Sequence, residues 1–133
     1  MSHNKSIKNK MFQLYGKKCF IDKLGIKTGI SKKYKSSKQY KKMKELTYHH
    51  IRMKSEGGET SIENGAILSV ENHTWFHKQD KETQDMLNEL FQEIKDIEYV
   101  DDMELPYEIK CKVIQFNEKG KVIEQEREEE RYE

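Results

Sequence analysis

The sequence predicts an α+β fold built on a short β-hairpin that runs directly into an α-helix. Two segments with β-strand composition, residues 45–53 and 60–68, flank a turn that contains Gly57 and Gly58. Ser69 follows the second segment and is a typical helix N-cap residue. This strand–turn–strand–helix order places the middle of the chain in one compact unit, with further helical segments on both sides of it.

The first 44 residues, 1–44, are predicted to form a basic helical extension in front of this unit. Apolar residues recur at helical spacing over residues 5–18 and leave the opposite side to lysines. They are Ile7, Met11, Leu14 and Tyr15. Gly16 is expected to end the helix. The Lys- and Ser-rich segment 23–44 predicts a mobile stretch with a short helix over 38–44, which suits either a solvated loop or contacts with nucleic acid.

Two consecutive helices are predicted after the second strand, the first beginning at Val70 and the second capped by Asp80. Trp75 and Phe76 are expected to point away from the polar face of the first helix and into the core. The second helix carries an apolar stripe that we interpret as core packing. The stripe consists of Met86, Leu87, Leu90, Phe91 and Ile94. Together with the strands, these helices form a predicted core unit at residues 45–97.

The last part of the chain, residues 98–133, predicts an acidic connector, a second β-hairpin and a charged tail within the same single domain. The connector contains Pro106, the one proline of the sequence. Residues 109–116 alternate between apolar and polar side chains, and Gly120 follows where a turn would be needed. The terminal Glu- and Arg-rich segment is expected to be a frayed helix or a disordered tail.

The composition indicates one small domain. The chain has 133 residues, of which 34% are hydrophobic and 37% are charged, so its core is expected to be modest. No run approaches the roughly 18 apolar residues of a membrane span, and the N-terminus lacks the apolar stretch of a signal peptide. We therefore expect a cytoplasmic protein in which Cys19 and Cys111 are reduced thiols.

The net charge of +1 conceals a strong separation of charge along the chain. Residues 1–54 contain sixteen Lys and Arg against two acidic residues, about +14, whereas the remaining nine Lys and Arg face twenty-two acidic residues, about −13. A basic block of this size would attract a polyanion through counterion release. The alternatives are that it pairs with the acidic half or forms a solvated face.

Four of the five histidines fall within residues 48–78. His49 and His50 are adjacent, whereas His73 and His77 are four residues apart and therefore share one face of a helix. If His49, His73 and His77 bound one divalent cation, positions would stay open for water or substrate, as at a catalytic metal site. His50 could then act as a general base, because an unperturbed imidazole titrates near pH 6.5.

Asn64 is expected to pin the loop between the strands through both faces of its amide, so that a backbone carbonyl can hold the second ring nitrogen of His50. Each feature has an ordinary explanation by itself. A His-x3-His pair is more often a surface or packing pair, and Asn64 before Gly65 is commonly a turn. Their combination in one short window favours a metal-dependent nuclease site.

This window resembles the HNH endonuclease motif, the ββα-metal fold that is also found in colicin nucleases. The matching residues are His49-His50, Gly57-Gly58, the Glu63-Asn64 pair and Asn72-His73-x3-His77. The resemblance implies that His49, His73 and His77 ligate a metal ion. It also implies that His50 is the general base and that Asn64 constrains the loop beside it.

The resemblance implies an endonuclease of phage or bacterial type that hydrolyses DNA phosphodiester bonds in a bacterial or phage-infected cell. One divalent ion is expected, and Mg, Mn, Ni and Zn stay open, although three imidazoles suit Zn, Ni or Mn better than Mg. Arg52, Lys54 and Lys78 are candidate contacts to the DNA backbone or ordinary surface charges. DNA is the expected partner, no membrane is expected, and a homodimer is compatible with the sequence.

The chain departs from the pattern of many HNH proteins, which bind a structural zinc through two Cys-x-x-Cys pairs. The corresponding positions here are Cys19 and Asp22, then Ser69 and Asn72. Three of the four thiols are missing, so no structural zinc is expected. Two other classes of protein also fit the sequence, namely a non-catalytic DNA-binding module with a structural metal and a protein–protein interaction module.

Overall fold

The computed structural model of the chain describes residues 2–30, 33–98 and 104–131, and the architecture is α+β. In chain order, the elements are α1 (Ser2–Tyr15), α2 (Phe20–Leu24), α3 (Ser37–Lys44), β1 (Leu46–His50), a 3-10 turn (Lys54–Glu56), β2 (Gly65–Ser69), α4 (Val70–His77), α5 (Lys81–Asp96) and α6 (Tyr107–Arg131). The predicted order of strand, turn, strand and helix in the middle of the chain is therefore confirmed.

The two strands form an antiparallel pair in which Leu46 lies opposite Ser69 and His50 lies opposite Gly65. Both strands are shorter than predicted, because residues 51–64 form a loop that is held by its own hydrogen bonds. Gly65 is required where the loop enters β2, since a Cβ atom there would lie 2.5 Å from the ring of Tyr48 and 2.8 Å from the sulfur of Met11. The hairpin is thus packed closely against α1.

The predicted helix boundaries in the middle of the chain are confirmed by their caps. The Ser69 hydroxyl accepts a hydrogen bond from the backbone N–H of Asn72, and the Asp80 carboxylate accepts one from the backbone N–H of Thr83. The apolar stripe of α5 faces the core as expected, with Met86 half-buried at its margin. The buried members of this stripe are Leu87, Leu90, Phe91 and Ile94.

The apolar residues of the basic N-terminal part belong to the common core. The structure confirms α1 and the short helix α3. Residues 23–26 differ from the prediction, since they were expected to begin a mobile stretch and instead belong to the end of α2 and the turn after it. The apolar side chains of residues 19–26 are buried together with those of α1, β2 and α5. The apolar side chains of this segment are Cys19, Phe20, Ile21, Leu24 and Ile26.

The predicted C-terminal β-hairpin is wrong, because residues 107–131 form the single helix α6 and Gly120 lies within it. Ile109 and Val113 are buried four residues apart, so the apolar residues that suggested alternation also fit one helical face. The polar residues between them are good helix formers. An isolated two-stranded hairpin is also only marginally stable in water. Of the predicted acidic connector, residues 99–103 lie outside the described part.

Helix α6 lies along α5 and the end of α2. Lys112 on α6 forms an ion pair with Glu93 on α5. Asn117 accepts a hydrogen bond from the backbone N–H of Lys27 at 2.9 Å and donates one to the carbonyl of Gly25 at 3.2 Å. Neither α6 nor any other helix in the described ranges is long and apolar enough to cross a membrane.

Candidate metal centre

Three histidines meet where β1 packs against α4. One ring nitrogen from each of His49, His73 and His77 lies within 4.8 Å of the other two. His49 is buried, His73 is half-buried and His77 is exposed, so the group extends from the core to the surface. These are the three residues that the sequence predicts as metal ligands, and together they could hold one metal ion.

The hairpin and α4 position these rings by their ordinary geometry. Alternation along β1 directs His49 into the core, where its ring centroid lies 4.4 Å from that of Phe76 and 5.8 Å from that of Phe91. One helical turn separates His73 from His77, and their ring centroids are 4.8 Å apart. Phe76 is buried as predicted, but it packs against the ring of His49 rather than away from the histidines.

The distances between the ring nitrogens suit a metal ion. Nδ1 of His49 lies 3.4 Å from Nε2 of His73. Two imidazole ligands at about 2.0–2.1 Å from a tetrahedral zinc would place their nitrogens about 3.4 Å apart. Three imidazoles are also a donor set that Zn, Ni and similar ions accept. The residues present therefore fit a divalent transition metal, with the exposed side of His77 open to further ligands.

The two inner rings are neutral at pH 7. Burial lowers the pKa of His49 to about 4, although the hydrogen bond with Asn88 acts in the opposite direction. Burial likewise lowers the pKa of His73 to about 4, and the neighbouring His77 adds to this effect. A neutral imidazole keeps the lone pair that a metal ion requires, so neither of these two rings needs to lose a proton at this pH before it binds one.

His50 is the last residue of β1 and faces the loop. Its ring packs edge-on against Tyr48, and its Nε2 lies 2.9 Å from the hydroxyl of Thr60. The partner is therefore a side-chain hydroxyl and not the backbone carbonyl expected from the sequence. Burial lowers the pKa of His50, and the positive charge of Lys54 contributes a smaller effect in the same direction.

Asn64 bridges the loop through both ends of its amide. Its Oδ1 accepts a hydrogen bond from the backbone N–H of Arg52 at 2.8 Å. Its Nδ2 donates to the carbonyl of Arg52 at 3.0 Å and to the carbonyl of Glu59 at 2.8 Å. Gly58 allows this close approach, because a Cβ atom there would lie 1.9 Å from the carbonyl oxygen of Arg52. Asn64 thus holds the two ends of the 52–59 turn together.

Three residues that support the site were missed at the sequence level. Asn88 Oδ1 lies 2.8 Å from His49 Nε2, and Thr47 Oγ1 lies 2.9 Å from His73 Nδ1. Lys95 is 5% exposed, and its ammonium donates to the carbonyls of Ile62 and Glu63 at 2.7 Å each. Helical spacing could have indicated Lys95, because Leu87, Phe91 and Lys95 are four residues apart on one face of α5. No local signal identifies Asn88 or Thr47.

The four positions that were compared with the zinc-binding cysteines of many HNH proteins, of which only Cys19 is a cysteine, also come together. Nδ2 of Asn72 lies 3.2 Å from the sulfur of Cys19 and 3.2 Å from Oδ1 of Asp22. The backbone N–H of Asn72 donates to the hydroxyl of Ser69. Hydrogen bonds through one buried amide therefore join α2 to the start of α4.

The candidate phosphate-binding residues Arg52, Lys54 and Lys78 are all exposed. In the basic segment before β1, part of the charge is used internally. Lys44 pairs with Glu71 at 2.5 Å, and the hydroxyl of Tyr34 donates to the same carboxylate at 2.7 Å. Tyr34 and Lys44 therefore attach this segment to α4 through the buried Glu71 side chain, whereas exposed lysines remain on the outer surface of α3.

Comparison of the chain with protein-family models, with curated proteins and with solved structures found no match. The function is therefore inferred from the residues of the site and their arrangement.

Proposed function

We propose that the protein is a metal-dependent endonuclease of the HNH type that hydrolyses DNA phosphodiester bonds. The observation that carries this proposal is the meeting of three imidazole nitrogens from β1 and α4 within 4.8 Å of one another. A second histidine, His50, directly follows the metal-facing His49 on the same strand. The combination supports hydrolysis more strongly than metal storage or a purely structural metal, because a structural site would not need His50.

His49, His73 and His77 would hold one divalent cation. When bound, such a cation supplies positive charge that stabilises the negative charge developing on a scissile phosphate. The three histidines keep the cation at the end of the hairpin, and the exposed position of His77 leaves room for a phosphate to approach. Arg52, an exposed cation on the adjoining loop, would contact the DNA backbone.

His50 would take a proton from the attacking water. Nε2 lies 2.9 Å from the Thr60 hydroxyl, and in the tautomer in which Nε2–H donates to that hydroxyl, Nδ1 keeps the lone pair that would accept this proton. The lowered pKa keeps the ring neutral and ready to act as a base near pH 7. Asn64 supports this arrangement indirectly, because it fixes the loop from which Thr60 reaches His50.

The test is cleavage of supercoiled plasmid DNA by the wild-type protein and by the His50→Ala variant, with EDTA, Mg, Mn, Ni or Zn in parallel reactions. We expect metal-dependent nicking or linearisation by the wild type and a loss of roughly a hundredfold or more in the variant. His3→Ala is the matched control, because it removes a histidine outside the motif and should leave cleavage unchanged.

Two other results would contradict the proposal. Folded wild-type protein that binds metal and DNA but cleaves with none of the ions would favour a DNA-binding module with a structural metal. Equal cleavage by the wild type and by His50→Ala would show that His50 is not the base or that another nuclease contaminates the preparation.

A further inference from the structure

In both His49 and His73, the ring nitrogen that points away from the other histidine has an uncharged hydrogen-bond partner. Asn88 on α5 lies beside Nε2 of His49 with its side-chain carbonyl oxygen at 2.8 Å. That oxygen can only accept a hydrogen bond, so Nε2 of His49 must carry the proton. The other nitrogen of this neutral ring, Nδ1, consequently keeps its lone pair.

Thr47 determines the state of His73 by a similar argument. Its hydroxyl has a single proton, and this proton is donated to the carbonyl oxygen of Leu68 at 2.7 Å. The same oxygen lies 2.9 Å from Nδ1 of His73 and can therefore only accept a hydrogen bond from that ring. Nδ1 of His73 carries the proton, and Nε2 keeps the lone pair.

The two lone pairs then face each other. Nδ1 of His49 and Nε2 of His73 are 3.4 Å apart with no proton assigned between them. Such an arrangement is unfavourable for two acceptors by themselves and favourable when a cation lies between them. We propose that Asn88 and Thr47 are positioning residues that fix the tautomers of His49 and His73 and thereby set Nδ1 of the first and Nε2 of the second as metal-binding atoms.

This inference rests on the metal site of the proposed function and adds the atoms and residues that prepare it. Hydrogen bonds to the outer nitrogen of a histidine ligand typically change metal affinity by about 10–100-fold. Both partners here are uncharged, so the imidazoles stay neutral ligands. A divalent ion on three such ligands keeps its full charge for an anionic substrate group.

The first experiment assigns the tautomers in the metal-free protein in EDTA at pH 7.5, without DNA. Long-range proton–nitrogen NMR correlations of the imidazole rings show which nitrogen is protonated. We expect the proton on Nε2 of His49 and on Nδ1 of His73. The opposite tautomer at either ring would overturn the inference, whether or not the protein cleaves DNA.

The second experiment measures Zn²⁺ and Co²⁺ affinity by competition with a chromophoric chelator. Thr47→Val and Asn88→Leu should each weaken binding by about 10–100-fold. Thr47→Ser and Asn88→Asp keep an acceptor at the same place and should restore binding. Thr74→Val is the matched control, because the Thr74 hydroxyl bonds the carbonyl of Val70 and does not contact a histidine.

The outcomes separate this inference from the proposed nuclease activity. The expected tautomers and the expected affinities without DNA cleavage would refute the nuclease and leave the inference standing. A folded wild type that binds neither ion would overturn it together with the metal site. Unchanged affinity in both Thr47→Val and Asn88→Leu would show that the two residues are structural only.

Discussion

His49 illustrates how a buried imidazole can be prepared for a metal ion. Its ring is 1% exposed and packs against Phe76 and Phe91, an environment that disfavours a charged ring. The pKa of about 4 follows mainly from this burial. The same property that keeps the ring neutral for metal binding makes the folded protein sensitive to acid, because the unfolded chain binds a proton that the folded chain does not.

The first prediction concerns the free energy of unfolding of the metal-free protein below neutral pH. The pKa values of His49 and His73 are about 4 in the folded state and about 6.5 in the unfolded state, so their contribution is complete above pH 6.5 and is lost as the pH falls towards 4. The loss is at most about 3 kcal/mol for His49 and smaller for the half-buried His73. Urea denaturation in EDTA at pH 7.5, 6.5 and 5.0 measures it.

His49→Gln is the informative comparison for this measurement. The variant lacks one of the two depressed groups, so its stability should depend less on pH between 6.5 and 5.0. Carboxylates contribute little in this window because they titrate mainly at lower pH. An equal pH dependence in both proteins would mean that His49 is not held neutral by burial.

Helix α5 contacts both the group of three histidines and the loop between the two strands. Asn88 reaches the ring of His49, and two turns later Lys95 reaches the loop that Asn64 organises. The buried position lowers the pKa of Lys95 to about 8, which still leaves most of the side chain charged at pH 7. Two backbone carbonyls therefore receive strong hydrogen bonds from a charged donor.

We expect Lys95→Met to loosen the loop between the strands. The carbonyls of Ile62 and Glu63 would lose their donor, which costs about 1–3 kcal/mol, partly offset because a charge is no longer buried. In the variant, amide hydrogen exchange of residues 58–65 should speed up relative to the wild type by more than exchange in α4 does. Lys110→Met is the control, since Lys110 is exposed on α6 and pairs with Glu104 rather than with this loop. Uniform exchange changes across the protein would argue against a local role.

Helix α6 offers a matched pair of isoleucines that tests its packing. Ile109 is 5% exposed, whereas Ile114 is 55% exposed. Ile109→Ala should lower the free energy of unfolding by about 2–5 kcal/mol because it leaves a cavity in the core. Ile114→Ala should change it by no more than about 0.5 kcal/mol. Similar losses for both variants in urea denaturation would contradict the helical placement.

The whole molecule separates its basic and acidic residues along the chain. The basic first half supplies β1 and the exposed lysines of α3, and the acidic second half supplies α4, α5 and α6. Lys44 in the basic half forms an ion pair with the buried Glu71 in the acidic half. Exposed cations near the site, among them Arg52 and Lys54, remain available to contact phosphates.

If the protein binds DNA as proposed, its DNA affinity should fall steeply as the salt concentration rises. Each phosphate contact contributes about −0.9 to the slope of log K against log salt concentration. Arg52→Gln and Lys54→Gln should each reduce the magnitude of the slope by about one if these residues contact the backbone. Lys112→Gln, on α6 and paired with Glu93, is the control. Fluorescence anisotropy with a short duplex and calcium in place of a catalytic ion measures the slopes, and equal slopes in all proteins would place the DNA elsewhere.

Local sequence patterns were enough to predict the hairpin and the helix starts in the middle of the chain. Ser69 and Asp80 indicate helix starts because their side chains accept hydrogen bonds from backbone N–H groups three residues later. The pairing of His73 with His77 follows from helical periodicity, and the hairpin follows from two strand-like segments around Gly57 and Gly58. These interactions lie within a few residues of each other, so the chain order contains them directly.

Contacts between distant residues depended on the packing of the whole chain. Residues 109–116 satisfy both a strand and a helix pattern, and burial of one face against α5 selects the helix. Phe20, Ile21 and Leu24 become part of the core once α1 and β2 enclose them. Asn88 lies 39 residues from His49, and Lys95 lies 32 residues from Glu63. Such pairs leave no periodic trace in the sequence, because their geometry exists only after the helices have packed on the hairpin.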